Sequence, residues 1–302
     1  SKIVDPAGNV LPPGSVSFLK YPEVQFEHAA ANQLSEVVGG QLAALEWVIH
    51  QVAAEPQRVF YRHDTSGSGP AHALLVSNHN AAVKLVLEIY TRWPRLITLT
   101  LGKSSFGCEN ALHILAANRR EPQLCQALET AQLRLSDKQY HELLTLQVSG
   151  RFFRMSPQMF FGSSVVGFLA SFGLTRTLAF LMELEDKRLK DAQRDGVSEA
   201  RRRLTDEAHS CYLTGFLPIH CAVANGRIRM YDFLCGAHNH LPAVPGEARL
   251  ANHQVCDPDQ RTAFGLQSQW GGMTPLQLAA KMGDLRMCKH ILRKRLKLNW
   301  KW

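Results

Sequence analysis

Two stretches in the second half of the chain share one pattern of apolar and polar positions. Phe216-Leu217-Pro218-Ile219-His220-Cys221-Ala222-Val223-Ala224-Asn225-Gly226 and Met273-Thr274-Pro275-Leu276-Gln277-Leu278-Ala279-Ala280-Lys281-Met282-Gly283 run in the same register. Each reads as a short helix with a definite start and stop. Pro at the first helical position has no N–H to leave unpaired and a φ already suited to helix. Leu or Ile then points into a core, and the small Ala and Cys that follow let a second helix approach closely. The closing Gly supplies the left-handed conformation that ends a helix. A second apolar pattern follows at constant offsets. Gly173 precedes Arg176, Thr177, Phe180 and Leu181; Gly226 precedes Arg229, Met230, Phe233 and Leu234; Gly283 precedes Arg286, Met287, His290 and Ile291. Four matched columns in three units predict a repeated pair of antiparallel helices, each too short to bury its apolar face alone.

This is the pattern of an ankyrin repeat. Aligning on the fourth residue of the Thr-Pro-Leu-His signature places unit starts at Gly69-Pro70-Ala71-His72, Asn110-Ala111-Leu112-His113, Ser164-Val165-Val166-Gly167, Leu217-Pro218-Ile219-His220 and Thr274-Pro275-Leu276-Gln277. The third of these has lost both Pro and His. A vaguer sixth unit lies earlier, where Phe26-Glu27-His28-Ala29-Ala30 precedes Gly39-Gly40 and an apolar stretch over 42–49. Successive columns stand 41, 54, 53 and 57 residues apart, against about 33 for an ordinary ankyrin repeat. Stacking fixes the helices, so the excess belongs to long hairpin fingers, and long ordered loops on a rigid scaffold often carry function. The expected fold is all-α, a solenoid of about six helix pairs with long finger loops. It divides into an N-terminal extension over 1–25, the repeats over 26–292, and a basic, aromatic linker over 293–302.

Composition narrows this further. The chain has 302 residues, 45% hydrophobic and 20% charged, which is ordinary for a globular protein. No run of 18 apolar residues occurs, so nothing in the sequence reads as a membrane-spanning helix. It begins with Ser and no signal-peptide pattern follows, which suggests a piece of a longer protein or residues added ahead of the native start. The seven cysteines form no Cys-x-x-Cys pair and read as reduced thiols in a core. Net charge is +8. Residues 183–207 mix both signs, including Arg201-Arg202-Arg203, and read as a solvated helix extension or loop. Lys289, Arg293, Lys294, Arg295, Lys297 and Lys301 make the C-terminal stretch strongly basic, ending in Trp300 and Trp302.

Four features resemble the cytosolic ankyrin domain of vanilloid-type transient receptor potential (TRP) cation channels. Asn110-Ala111-Leu112-His113-Ile114-Leu115-Ala116-Ala117-Asn118-Arg119-Arg120 looks like that family's third repeat, with an Arg-Arg pair where ordinary repeats turn on Gly. Phe160-Phe161-Gly162, after a long loop holding Phe152-Phe153, resembles the approach to its fourth. Trp93-Pro94-Arg95-Leu96 resembles the aromatic-Pro-x-Leu after its second. Asn299-Trp300-Lys301-Trp302 resembles the short strand leading toward its first transmembrane helix. The likeness covers roughly residues 26 to 302, and the finger sequences differ, so ligand-contact residues do not carry over. It implies the cytosolic portion of a homo- or hetero-tetrameric cation channel, commonly calcium-permeable, at the cytoplasmic face of a membrane. It also implies other subunits as partners, with ATP or calmodulin as candidate ligands of the concave face.

The candidate chemistry is non-catalytic. There is no Gly-x-Ser-x-Gly elbow and no Gly-x-x-x-x-Gly-Lys phosphate loop; Thr65-Ser66-Gly67-Ser68-Gly69 lacks the Lys and reads as a finger turn. His238, His240, His253 and Cys256 lack the paired Cys that would anchor zinc, so no metal or cofactor is expected. His72, His113 and His220 read as inner-helix residues that bond loop backbone. Basic residues are too dispersed for nucleic acid. Leu285, Cys288, Ile291, Leu292 and Leu296 recur at helical spacing opposite Lys and Arg. That suits calmodulin or anionic lipid, but the simpler reading is the outer helix of the last repeat, with 294–302 left free. Arg176, Arg229 and Arg286 should form a basic stripe. Phe152 and Phe153 are expected to be exposed on the finger over 131–161, and to contact Trp300 and Trp302 of a neighbouring subunit. The alternative is a free-standing ankyrin adaptor that binds cytosolic proteins.

Overall fold

The computed structural model describes residues 70–101 (except 77 and 79), 106–191, 209–236 (except 212) and 273–299. The possible sixth unit near Phe26, the turn at Thr65 to Gly69, the arginines at 201–203, the cluster of His238, His240, His253 and Cys256, and Trp300 and Trp302 lie outside these residues.

Among the described residues, five helix pairs follow one another: α1 (Pro70–Val76) with α2 (Asn80–Arg92), α3 (Ala111–Ala117) with α4 (Glu121–Arg134), α6 (Val165–Phe172) with α7 (Thr175–Asp191), α8 (Pro218–Ala224) with α9 (Ile228–Leu234), and α10 (Pro275–Lys281) with α11 (Leu285–Asn299). An extra helix, α5 (Asp137–Thr145), stands between the second and third pairs. The inner helices α1, α3, α6, α8 and α10 pack each on the next, and the outer helices α2, α4, α7 and α9 form a second layer behind them. An inner helix is therefore covered by a neighbour on either side and by its own partner. Ala111 to Ala116, Val165 to Ser171 and Pro218 to Val223 are accordingly all buried. Of α10, only Pro275, Leu278 and Ala279 are buried.

The register read from the sequence holds at every pair. Six residues after each aligned column the backbone enters the left-handed region: Asn78 at φ 53°, Arg119 at 54°, Gly173 at 71°, Gly226 at 63° and Gly283 at 72°. Three are the expected glycines. The first two are not, although Asn tolerates this region better than most residues. The outer columns agree as well: Thr177, Leu181, Met230, Phe233, Leu234, Met287 and Ile291 are buried.

The degenerate third start has a steric cause. Gly162, at φ 82°, crosses over α6, where a Cβ on it would stand 2.8 Å from Gly167 Cα. A Cβ on Gly167 would meet Gly162 Cα at 3.2 Å. No histidine fits at 167 under this crossing. Ser171 Oγ donates to the Phe161 carbonyl at 2.6 Å and holds the segment down.

The region over 131–161 is more compact than a finger. Helix α4 runs on to Arg134, and Ser136 caps α5 in a reciprocal box with Gln139. Single 3-10 turns follow at Arg151–Arg154 and Gln158–Phe160. Asn299 likewise closes helix α11 and is not part of a strand.

Candidate interaction surface

Contacts between repeats are built from three recurring devices. The first is the inner-helix histidine. Asn110 caps α3 by accepting from the N–H groups of Leu112 and His113, and its own N–H donates to His113 Nδ1 at 3.3 Å. The other ring nitrogen, Nε2, donates to the Ser163 carbonyl at 3.2 Å, just ahead of the next repeat. His220 does the same, with Nε2 at 2.9 Å from the Met273 carbonyl. Burial lowers the His113 pKa to about 3, so the ring stays neutral. His72 is buried in the corresponding place.

In the repeat whose histidine is replaced by Gly167, a different residue serves. Ser164 Oγ accepts from the Gly167 N–H at 3.2 Å and lies 3.1 Å from Nδ1 of His209. His209 arrives from the segment leading to the following repeat, and burial lowers its pKa to about 4. Sequence reading missed it because it lies 45 residues from its partner.

The second device is the residue after three of the left-handed turns, which reaches back over the turn before. Arg120 spends its whole fork there: Nε donates to Asn78 Oδ1 at 2.7 Å, Nη1 to Asn80 Oδ1 at 2.6 Å, and Nη2 to the Asn78 carbonyl. Arg227 lies across Gly173, its Cδ 3.2 Å from where a Cβ would stand there, and its Nε donates to the Ser171 carbonyl at 2.9 Å. Asp284 Oδ2 sits 3.5 Å from the corresponding point on Gly226. Third, the last two described outer helices are joined by charge. Asp232 on α9 meets His290 Nε2 at 2.6 Å and also Lys294 Nζ, both on α11. Lys294 is thus an anchored residue rather than part of a free tail.

Arg176, Arg229 and Arg286 each occupy the second position of an outer helix, and all three are exposed. The aromatic pair behaves otherwise. Phe153 is 3% exposed, with ring centroids 5.7 Å from Phe168 and 6.2 Å from Phe106. Phe152 is half-buried, its ring centroid 4.8 Å from that of Phe106 in a tilted pair. The expectation that both stand exposed is corrected: the turn over 151–154 sets the Phe153 ring against Phe168 of α6 and leaves Phe152 half-buried against Phe106 and Phe153. What remains outside is Phe106 at 39% and Met155 at 59%. On α11, Met287 and Ile291 are buried as expected, while Leu285 at 64% and Leu292 at 45% are not. Among the described residues no group of His, Cys, Asp and Glu is arranged to hold a metal ion, and no helix is long and apolar enough to cross a membrane.

The ankyrin repeat family model matches residues 271–299, the last helix pair. No curated protein matches the chain. The fold is an all-α ankyrin-type solenoid, an architecture that mediates protein–protein interaction.

Proposed function

We propose that this solenoid is the cytosolic assembly and regulatory module of a TRP-type cation channel, acting through contacts with neighbouring subunits rather than by catalysis. The order of its inserts carries the reading. The Arg119-Arg120 pair takes the place of a glycine turn, with Arg119 at φ 54° and Arg120 clamping the preceding turn. Phe160-Phe161-Gly162 then crosses α6 at a second place where the standard repeat gives way. These are two of the four features on which the resemblance to vanilloid-type TRP channels rests. In this reading the apolar apron of Phe106, Phe152 and Met155 faces the Trp300 and Trp302 region of the adjacent subunit, closing a ring by heterologous contacts. The basic stripe of Arg176, Arg229 and Arg286 faces an acidic partner.

The competing function is an adaptor that binds cytosolic partners, which the same stack serves equally well. The full reading frame separates the two. Continuation beyond Trp302 into six apolar segments of about 20 residues supports the channel; another soluble domain there supports the adaptor. A cysteine at exposed Met155 and one near Trp300 test the assembly. Efficient cross-linking between subunits is expected in the full-length protein, and cross-linking confined to single chains defeats it.

A further inference from the structure

The last described helix pair is packed like its predecessors on one side only. The positions five and nine residues after each left-handed turn are buried in the four earlier pairs: Val83 and Leu87, Leu124 and Leu128, Leu178 and Met182, Tyr231 and Cys235. Their successors on α11 are not, for Cys288 is half-buried and Leu292 exposed. Leu285, one helical turn before Cys288, is more exposed still. Residues 285, 288, 289 and 292 fall along one ridge of a helix. Met287 and Ile291, on its other side, are buried.

The register says what kind of helix fits this ridge. Asp232, six residues after the turn at Gly226, lies on the face of α9 that meets α11. It pairs with His290 and Lys294, and beside it the Tyr231 ring stands 6.1 Å from that of His290. The same position on α11 holds Lys289, exposed, with exposed Arg293 one turn on. The sign is reversed. A helix that meets α11 as α11 meets α9 therefore carries acids where α11 carries His290 and Lys294. Among the described residues no carboxylate pairs with Lys289 or Arg293. Asp284, the nearest acid in sequence, accepts from the Met287 N–H at 2.9 Å.

The inner helix makes no matching demand. His113 and His220 reach forward to the next repeat, but Gln277 Oε1 turns back to accept from the Thr274 N–H at 2.8 Å. Gln277 and Lys281 are exposed. The end of the described stack is thus polar along α10 and apolar along α11, which fits one helix rather than a further repeat. We propose that the outward ridge of α11 docks an acidic amphipathic helix of a protein partner. Its apolar face covers Leu285 and Leu292, and two of its carboxylates, one turn apart, pair with Lys289 and Arg293. This surface rests on the repeat register and not on the channel assignment.

The test uses the full chain and two synthetic helical peptides of about 20 residues, identical in their leucine face and carrying either Glu or Lys along its edge. Fluorescence anisotropy should show the Glu peptide binding the wild type and the Lys peptide failing to, with the binding fading as salt is raised. Leu292→Ser, and Lys289→Glu combined with Arg293→Glu, should each weaken the Glu peptide about tenfold, and the double reversal should turn preference to the Lys peptide. Arg229→Glu, on exposed α9 surface, should leave binding unchanged. Failure of the Glu peptide to bind, or equal weakening by Arg229→Glu, overturns the proposal. Self-association that Leu292→Ser abolishes, without peptide binding, assigns the ridge to a second copy and also overturns it. Sedimentation with phosphatidylserine vesicles in place of peptide binding does so in favour of a membrane. If the double reversal does not fold, Leu292→Ser and Lys289→Gln decide.

Discussion

A left-handed glycine is constrained by its backbone everywhere, but by its neighbours only in some places. Gly283 sits at φ 72° with nothing within 4 Å of a prospective Cβ, whereas at Gly162 that Cβ lands 2.8 Å from the Gly167 backbone. Gly283→Ala should therefore cost about 1 kcal/mol, the strain of the left-handed region alone. Gly162→Ala adds overpacking against backbone that cannot swing aside, for a total of roughly 2–4 kcal/mol. Urea unfolding of the two variants measures the difference, and equal losses would show that the crossing over α6 yields. Glu109 provides a second test at this scale. Burial raises its pKa to about 8 from 4.5, so the unfolded chain releases this proton first as pH rises. Its contribution to stability is present below about pH 4.5 and is lost up to about pH 8, at about 1.4 kcal/mol per pH unit within that window. In Glu109→Gln that loss should disappear, and the stability difference between wild type and variant should widen from pH 5 to 8. A constant difference would place the carboxylate in water.

At the scale of single elements, His209 replaces in space what α6 lacks in sequence. The inner helices α1, α3 and α8 carry the ring on their own first turn, and Gly162 denies that place to residue 167. His209→Ala should cost about 1–2 kcal/mol and speed amide exchange at the start of α6. Its folded pKa of about 4 lies below the ordinary 6.5. The stability it confers is thus present above about pH 6.5 and falls away as pH drops toward 4, so the variant should unfold less steeply with acid. An unchanged acid profile would mean the ring is already solvated. These cases mark what was legible in the sequence. Spacing alone placed all five helix pairs, because Pro, small residues and Gly each answer a local demand of the backbone. The left-handed turns at Asn78 and Arg119 carried no glycine to announce them. The count of aromatics around Phe152 and Phe153 in a long loop looked like an interface, while the 3-10 turn that folds them inward has little periodicity. Arg227 had no signal at all, since its reach across Gly173 depends on how the repeats stack.

Across the whole molecule, stability should pass from neighbour to neighbour, because a repeat stack has no core common to all its units. Leu112 and Leu278 are both fully buried, and either change to Ala should cost about 2–5 kcal/mol. Their surroundings differ. Leu112 lies in α3, held between α1 and α6 with α4 behind it, and every residue from Ala111 to Ala116 is buried. Loosening α3 withdraws the packing of the pairs on either side. Leu278 lies in α10, the last inner helix described, which leans on α8 and on α11. Loosening α10 therefore costs one inner-helix interface, together with the bond from His220 to the Met273 carbonyl. Hydrogen exchange followed by mass spectrometry should find Leu278→Ala raising exchange in α10 and α11 while α1 to α6 keep wild-type protection. Leu112→Ala should raise exchange from α1 through α7 together. If Leu278→Ala released the central helices to the same degree, the units would be folding as one body, and the nearest-neighbour account of this solenoid would fail.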